Sequence, residues 1–242
     1  MKRIGIVGGV GPYAAAHFYR RILDLCPAVT DEEYAAVILV AEQIPSRIDH
    51  QLARGPSPLP ALEEAVRRLC VAGADLIAIP SATTHVYRAD LLRESRVPIV
   101  DLLLEVAAHL ERADLCRPLI LATEATVALR SFEPLFSSAT RAIYPDPHGQ
   151  RQITDFIYRV KRGEPSDRTR AEFTQCVRAL LRAHPDADCV VLGCTELSVI
   201  APAVEVAVPI VDATDVLAHA ALNYRADATS PRTNKDELEV RL

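Results

Sequence analysis

Two residues in this chain have the type and the position to move a proton. Cys194 follows the apolar run Cys189-Val-Val-Leu192 and Gly193, and it precedes Thr195 and Glu196. That order reads as a buried strand breaking into a helix, with the cysteine at the break. A thiol there lies close to backbone N–H groups and a positive helix end, both of which favour thiolate. A single cysteine in an apolar setting is more often a small buried residue. This one gains weight because the chain builds the same feature twice. Ala74-Asp-Leu-Ile-Ala-Ile-Pro-Ser81 matches Ala187-Asp-Cys-Val-Val-Leu-Gly-Cys194, position by position in residue type. Ser81 therefore stands where Cys194 stands.

The duplication extends further. Val97-Pro-Ile-Val-Asp101 recurs as Val208-Pro-Ile-Val-Asp212, and Arg3-Ile-Gly-Ile-Val-Gly-Gly-Val-Gly11 more loosely as Pro118-Leu-Ile-Leu-Ala-Thr-Glu-Ala-Thr126. The offsets are 113, 111 and 115 residues, nearly constant and in the same order. Strands alternate with helical patterns throughout, which argues parallel α/β layers. The expected architecture is two pseudo-symmetric parallel-sheet α/β domains facing one another. Ligands of such sheets bind outside the carboxyl ends of the strands. Ser81 and Cys194 would then flank one cleft from opposite sides.

The elements that must place them follow in order. Strands are expected at 3–7, 35–40, 74–79 and 97–100, then at 118–122, 189–192 and 208–211, and the stretch around 142–145 is left unassigned. Helices are expected from Pro12 to Leu25, Ala61 to Ala72, after His85 to Glu94, Asp101 to Arg112, from Val127, Gln150 to Arg162, Ser166 to His184, and Asp212 to Leu222. Segment 41–49 reads as a loop. The division that follows takes 1–97 plus 208–222 as a first α/β domain, 98–207 as a second, and 223–242 as a polar C-terminal tail.

The composition narrows the function. The 242 residues are 50% hydrophobic and 24% charged, ordinary for a soluble globular protein with a sizeable core. A net charge of −5, with dispersed arginines, gives no nucleic-acid footprint. No run reaches transmembrane length, and Met1-Lys-Arg3 leads into a short strand rather than a leader. The six cysteines have irregular spacings, no CxxC pair and no metal-site spacing with histidine. Reduced thiols and a cytoplasmic location are the better reading. Gly9-Val-Gly-Pro-Tyr-Ala14, with Glu42 after the second strand, fits a dinucleotide fingerprint. Pro12 weakens that reading, because it removes one of the helix-end N–H groups that would hold pyrophosphate.

At the segments Gly8-Gly-Val-Gly-Pro12, Gln43-Ile-Pro-Ser-Arg47, Pro80-Ser-Ala-Thr-Thr-His85, Leu121-Ala-Thr-Glu-Ala-Thr126, Val160-Lys161 and Gly193-Cys-Thr-Glu-Leu197, the sequence resembles the aspartate/glutamate racemases, the cofactor-independent amino-acid racemases. The last segment is the most specific. The resemblance implies a two-base isomerase that uses neither pyridoxal phosphate nor metal, often as a homodimer. One cysteine takes the α-proton from one face, and the other returns a proton to the opposite face. Cys194 corresponds to the second of the two cysteines. Arg47 and Lys161 match positions that pair with substrate carboxylates. Gly11, Ala82, Thr83, Thr123, Thr126 and Thr195 fall in the substrate-binding segments. Glu196 either orients the substrate amine or complements the helix end. The partner implied is a small acidic amino acid, aspartate or glutamate, with no nucleic acid or membrane.

The chain departs from the pattern at Ser81, which replaces the first cysteine, and at Ala82, which replaces an asparagine. A hydroxyl is a far weaker acid than a thiol, whose ordinary pKa is about 8.5. Ser81 suits proton donation to a carbanion and makes a poor unassisted base. His85 could serve it as a base, although a cap or core histidine is the commoner fate. Two alternatives keep only one thiol at work: a malonate-type decarboxylase, which Arg47 and Lys161 count against, and a catalytically impaired dicarboxylate-binding homologue.

Overall fold

The computed structural model describes residues 2–201 and 204–225. The first half contains β1 (Ile4–Gly8), α1 (Pro12–Leu25), β2 (Val37–Ala41), α2 (Arg47–Gln51), α3 (Leu59–Val71), β3 (Leu76–Ala78), a 3-10 turn at Ala82–Tyr87, α4 (Arg88–Glu94) and α5 (Leu102–Arg112). The second contains β4 (Pro118–Leu121), α6 (Glu124–Ala128), α7 (Pro147–Lys161), α8 (Asp167–Ala183), β5 (Cys189–Leu192), α9 (Thr195–Ile200), β6 (Ile210–Asp212) and α10 (Ala213–Leu222). The strands form two parallel sheets, ordered β2-β1-β3 and β4-β5-β6.

The central strands β1 and β5 are buried along their whole length, as parallel strands covered on both faces must be. One apolar cluster lies between the sheets. It joins Ile4, Ile6 and Leu76 of the first sheet to Ile120, Val191 and Val211 of the second, through Phe18 of α1, Leu102 and Val106 of α5, and Leu217 of α10. Separate clusters pack α3 on the outer face of the first sheet, and α7 with α8 on that of the second. Each fully buried large side chain contributes about 1.5–3 kcal/mol, so the central cluster holds the halves in register.

Local sequence explains the placement of the helices. Pro12 occupies the first turn of α1, and Ala14, Ala15, Phe18 and Ile22 form its buried face. Asp101 caps α5 by accepting from Leu103 N and Leu104 N, both at 3.1 Å. Asp146 caps α7 by accepting from Gly149 N at 2.7 Å. The internal repeat has a matching polar clasp in each half. Asp75 accepts from Arg3 N at 2.6 Å, and Asp188 accepts from Cys116 N at 2.6 Å and Arg117 N at 2.8 Å.

Three local readings are corrected. Segment 41–49 is not all loop, because α2 begins at Arg47 under a Ser46 cap. Five residues are too few to show helical periodicity. The strand expected at 97–100 is a single bridge from Ile99 to Ile77, and β6 pairs with β5. Both Val-Pro-Ile-Val segments therefore stay with their own sheets, and 98–100 and 208–212 sit on opposite sides of the domain boundaries drawn from the sequence. In each segment the proline removes a ladder donor at strand entry, which shortens the pairing. Helix α10 packs on α1 and α5. Of the polar tail, 226–242 lies outside the described residues. No helix among the described residues is long and apolar enough to cross a membrane.

Candidate active site

The ends of β3 and β5 deliver Ser81 and Cys194 to one pocket. It is lined by Val10, Arg47, Ile48, Ser81, Ala82, Thr83, Thr123, Thr126, Lys161, Gly193, Cys194, Thr195 and Glu196. Its volume is about 20 Å³, room for one water molecule. All the candidate site residues read from the sequence line it except Gly11, which borders it. Gly11 has φ +132°, and a Cβ there would come within 2.5 Å of the Glu196 carboxylate. Gly9 has φ +75°, and its Cβ would overlap the carbonyl of Glu42. Gly11 thus permits close chain approach beside the pocket, and Gly9 permits it against the segment after β2.

Four polar arrangements define the chemistry. The Cys194 thiol donates to Glu196 Oε2 at 3.0 Å, and Lys161 Nζ donates to Glu196 Oε1 at 2.6 Å. Burial, and then the Glu196 charge, push the Cys194 thiol well above its usual range, while Lys161 opposes them. The expected thiolate is therefore overturned: the short helix end is outweighed by desolvation and a carboxylate in direct contact. Glu196 is itself buried, which disfavours its charge. Lys161 and the thiol contact outweigh this and hold its carboxyl below the usual range.

Ser81 Oγ and Thr83 Oγ1 are 3.1 Å apart, and across the cleft Thr123 Oγ1 and Thr126 Oγ1 are 2.9 Å apart. Thr83 thus faces the pocket. Arg47 is 7% exposed, yet it makes no ion pair among the described residues. Its Nη2 donates to the Val10 carbonyl at 2.6 Å, its Nη1 to the Pro45 carbonyl at 3.3 Å, and its Nε has no partner. Burial lowers its pKa, and Glu196 only partly offsets that. A buried guanidinium with an unsatisfied donor is a ready carboxylate receptor.

The profile of the Asp/Glu/hydantoin racemase family matches residues 7–221. The chain belongs to that family. As a racemase it is an isomerase. It is 23% identical over 219 residues to the broad-specificity amino-acid racemase RacX of Bacillus subtilis, covering 89% of this chain and 94% of RacX. Its fold superimposes on the Picrophilus torridus aspartate racemase with a TM-score of 0.80 at 24% identity, covering 92% of this chain and 93% of that one. The glutamate racemase of Francisella tularensis, solved with D-glutamate, gives a TM-score of 0.62 at 14% identity, over 90% of this chain and 78% of that one.

In this racemase, Val10, Ile48 and Gly193 also line the pocket, although the sequence reading did not select them. Val10 and Gly193 fall inside segments that carry the resemblance, whereas Ile48 has only its adjacency to Arg47. His85 is not a base for Ser81. Leu102 N donates to its Nε2 at 3.0 Å, so the proton is assigned to Nδ1, which donates to the Ser81 carbonyl at 2.9 Å. The Val100 carbonyl is 3.4 Å from Nε2, a weaker contact that this tautomer leaves without a hydrogen. His85 is a buried clamp on the main chain, and the cap reading describes it.

Proposed function

We propose that this racemase inverts an acidic amino acid, aspartate or glutamate, without pyridoxal phosphate, by removing the α-proton on one face and returning a proton on the other. The observation that carries this reading is the convergence of Ser81, Cys194 and the unpaired Arg47 guanidinium on a single buried pocket. Arg47 binds the α-carboxylate. The side-chain carboxylate draws Lys161 away from Glu196.

That exchange supplies the base. With Lys161 engaged elsewhere, the buried Glu196 carboxylate loses its counter-charge, and its pKa rises. It then accepts the proton that Cys194 already shares with it across 3.0 Å. The resulting thiolate takes the α-proton. The Ser81 hydroxyl delivers a proton to the opposite face of the carbanion. As product leaves, Lys161 returns to Glu196, which gives up its proton to solvent while the serine alkoxide takes one up, so the starting protonation states are restored. One Cα–H bond breaks and one forms, with solvent supplying the new hydrogen. In the opposite direction Ser81 must act as the base, so the serine face is the slower one. Because enantiomers have equal free energy, the equilibrium constant stays at one.

The six cysteines are free thiols, which supports action in the reducing cytoplasm. A homodimer is the assembly we assign to it on the family resemblance. Incubating each enantiomer of aspartate and glutamate in deuterated water without added cofactor tests the proposal. Loss of optical rotation with α-deuteration is the expected result. Unchanged rotation and no α-deuterium would overturn it.

A further inference from the structure

The internal repeat pairs two more residues. His85 lies four positions after Ser81, and Ser198 lies four positions after Cys194. Both are buried, at 8% and 1% exposure. Each reaches from the segment after its proton-transfer residue to the start of the helix that follows a Val-Pro-Ile-Val-Asp segment. In the first half, His85 Nδ1 donates to the Ser81 carbonyl at 2.9 Å, and His85 Nε2 accepts from Leu102 N, the first residue of α5, at 3.0 Å. In the second half, Ser198 Oγ donates to Asp212 Oδ1 at 2.6 Å and lies 2.7 Å from Thr214 Oγ1, at the first turn of α10.

The side chains differ, and only His85 also bonds the main chain of its proton-transfer residue, but both tie their segment to the start of a helix. Helices α5 and α10 pack against each other. The two segments carrying Ser81 and Cys194 are therefore braced to one central helix pair. Proton transfer is sensitive to small displacements, and a shift of about 1 Å can cost about 100-fold in rate. A brace common to both halves would fix the spacing across the substrate.

We propose that His85 and Ser198 are equivalent positioning residues, His85 setting the serine face of the reaction and Ser198 the cysteine face. Neither touches the reacting atoms. The proposal rests on the two-face racemase reading, and it gives each residue a separate kinetic signature.

The signature is the ratio of α-deuterium exchange to racemisation in deuterated water. It is measured on whichever aspartate enantiomer the unmodified protein exchanges faster, the one whose hydrogen faces the thiol. Exchange of that enantiomer needs only the cysteine face, whereas racemisation needs both. His85→Ala slows the serine face, so the ratio rises, by about tenfold for a sub-ångström shift. His85→Asn, whose amide can donate to the Ser81 carbonyl, moves the ratio back toward its original value. Ser198→Ala slows the cysteine face, so the ratio falls, and Ser198→Thr restores it. Both rates come from the same folded fraction, so a variant that folds poorly loses activity without moving the ratio. An unchanged ratio in both His85→Ala and Ser198→Ala would overturn the assignment while leaving the racemase reading standing. Absence of both exchange and racemisation in the unmodified protein, for aspartate and glutamate alike, would overturn the racemase reading and this assignment with it.

Discussion

Thr195 Oγ1 donates to the carbonyl of Pro80 at 2.9 Å, joining the residue after Cys194 to the residue before Ser81. Both strand ends are buried there, and the hydrogen bond crosses directly from one half to the other. It ties the two proton-transfer segments together at their strand ends. Replacing Thr195 with valine keeps the shape and removes the donor, which leaves the Pro80 carbonyl unpaired. The expected cost is about 1–3 kcal/mol of stability, together with a larger loss in kcat than in KM. Thr195→Ser retains the hydroxyl and most of the activity. Denaturant titration and steady-state kinetics on the two variants check this.

Arg47 is the clearest case in which stability and activity are expected to move in opposite directions. Its guanidinium is buried without an ion-pair partner among the described residues, and such a charge is costly to fold. Arg47→Met fills a similar volume without the charge. It should leave stability unchanged or raise it by about 1–3 kcal/mol, while raising KM for aspartate by about 100-fold, the loss of a charged hydrogen-bonded contact. Arg47→Lys recovers little, because an ammonium lacks the planar pair of donors. Thermal melts and KM values on the same preparations would show the two effects separating. A Met variant with normal KM would remove Arg47 from substrate binding.

The Cys194–Glu196 contact makes a titration prediction. Burial raises the thiol most, and the Glu196 charge comes next. Replacing Glu196 with glutamine removes the charge and leaves the opposing pull of Lys161, so the thiol should ionise at lower pH than in the unmodified protein. The thiolate absorbance of Glu196→Gln, taken as a difference against Glu196→Gln/Cys194→Ala, follows this one cysteine among six. A midpoint that does not move, or moves upward, would show that Glu196 does not govern the thiol.

Asp212 supplies a stability test away from the pocket. Burial pushes its carboxyl up to about 6 from an ordinary 3.8, against hydrogen bonds from Ser198 and Thr214. A raised carboxyl pKa means that the folded state holds the proton more tightly than the unfolded state. This group's contribution is therefore largest below pH 3.8 and declines as pH rises through about 6. The full span is about 3 kcal/mol. Asp212→Asn keeps an acceptor for Thr214 N and removes the ionisation. Subtracting its stability–pH curve from that of the unmodified protein should leave a decline between those two values and a plateau above. A flat difference would contradict the assignment.

Much of this arrangement could be read from the residues. The repeat placed Ser81 opposite Cys194, and apolar runs with prolines and glycines placed most strands and helices. The failures share a cause. The thiolate expectation for Cys194 used its local helix end, but its ionisation is decided by burial and by Glu196, whose carboxylate turns back toward the thiol. Lys161, at the last turn of α7, reaches Glu196 across 35 positions of sequence, and no local pattern encodes that contact. The resemblance marked Arg47 as a carboxylate partner, but its burial under Val10 follows from the placement of α2, which no local pattern shows. The Val-Pro-Ile-Val segments looked interchangeable between halves, because only backbone pairing reveals which sheet each joins.

The central claim is that Ser81 and Cys194 act on opposite faces of one substrate, and Ser81→Ala tests it most directly. In deuterated water this variant should still exchange the α-hydrogen of one aspartate enantiomer, with configuration retained, because Cys194 can remove and return the hydrogen on its own face. It should not racemise. Racemisation by Ser81→Ala at the rate of the unmodified protein would contradict the account.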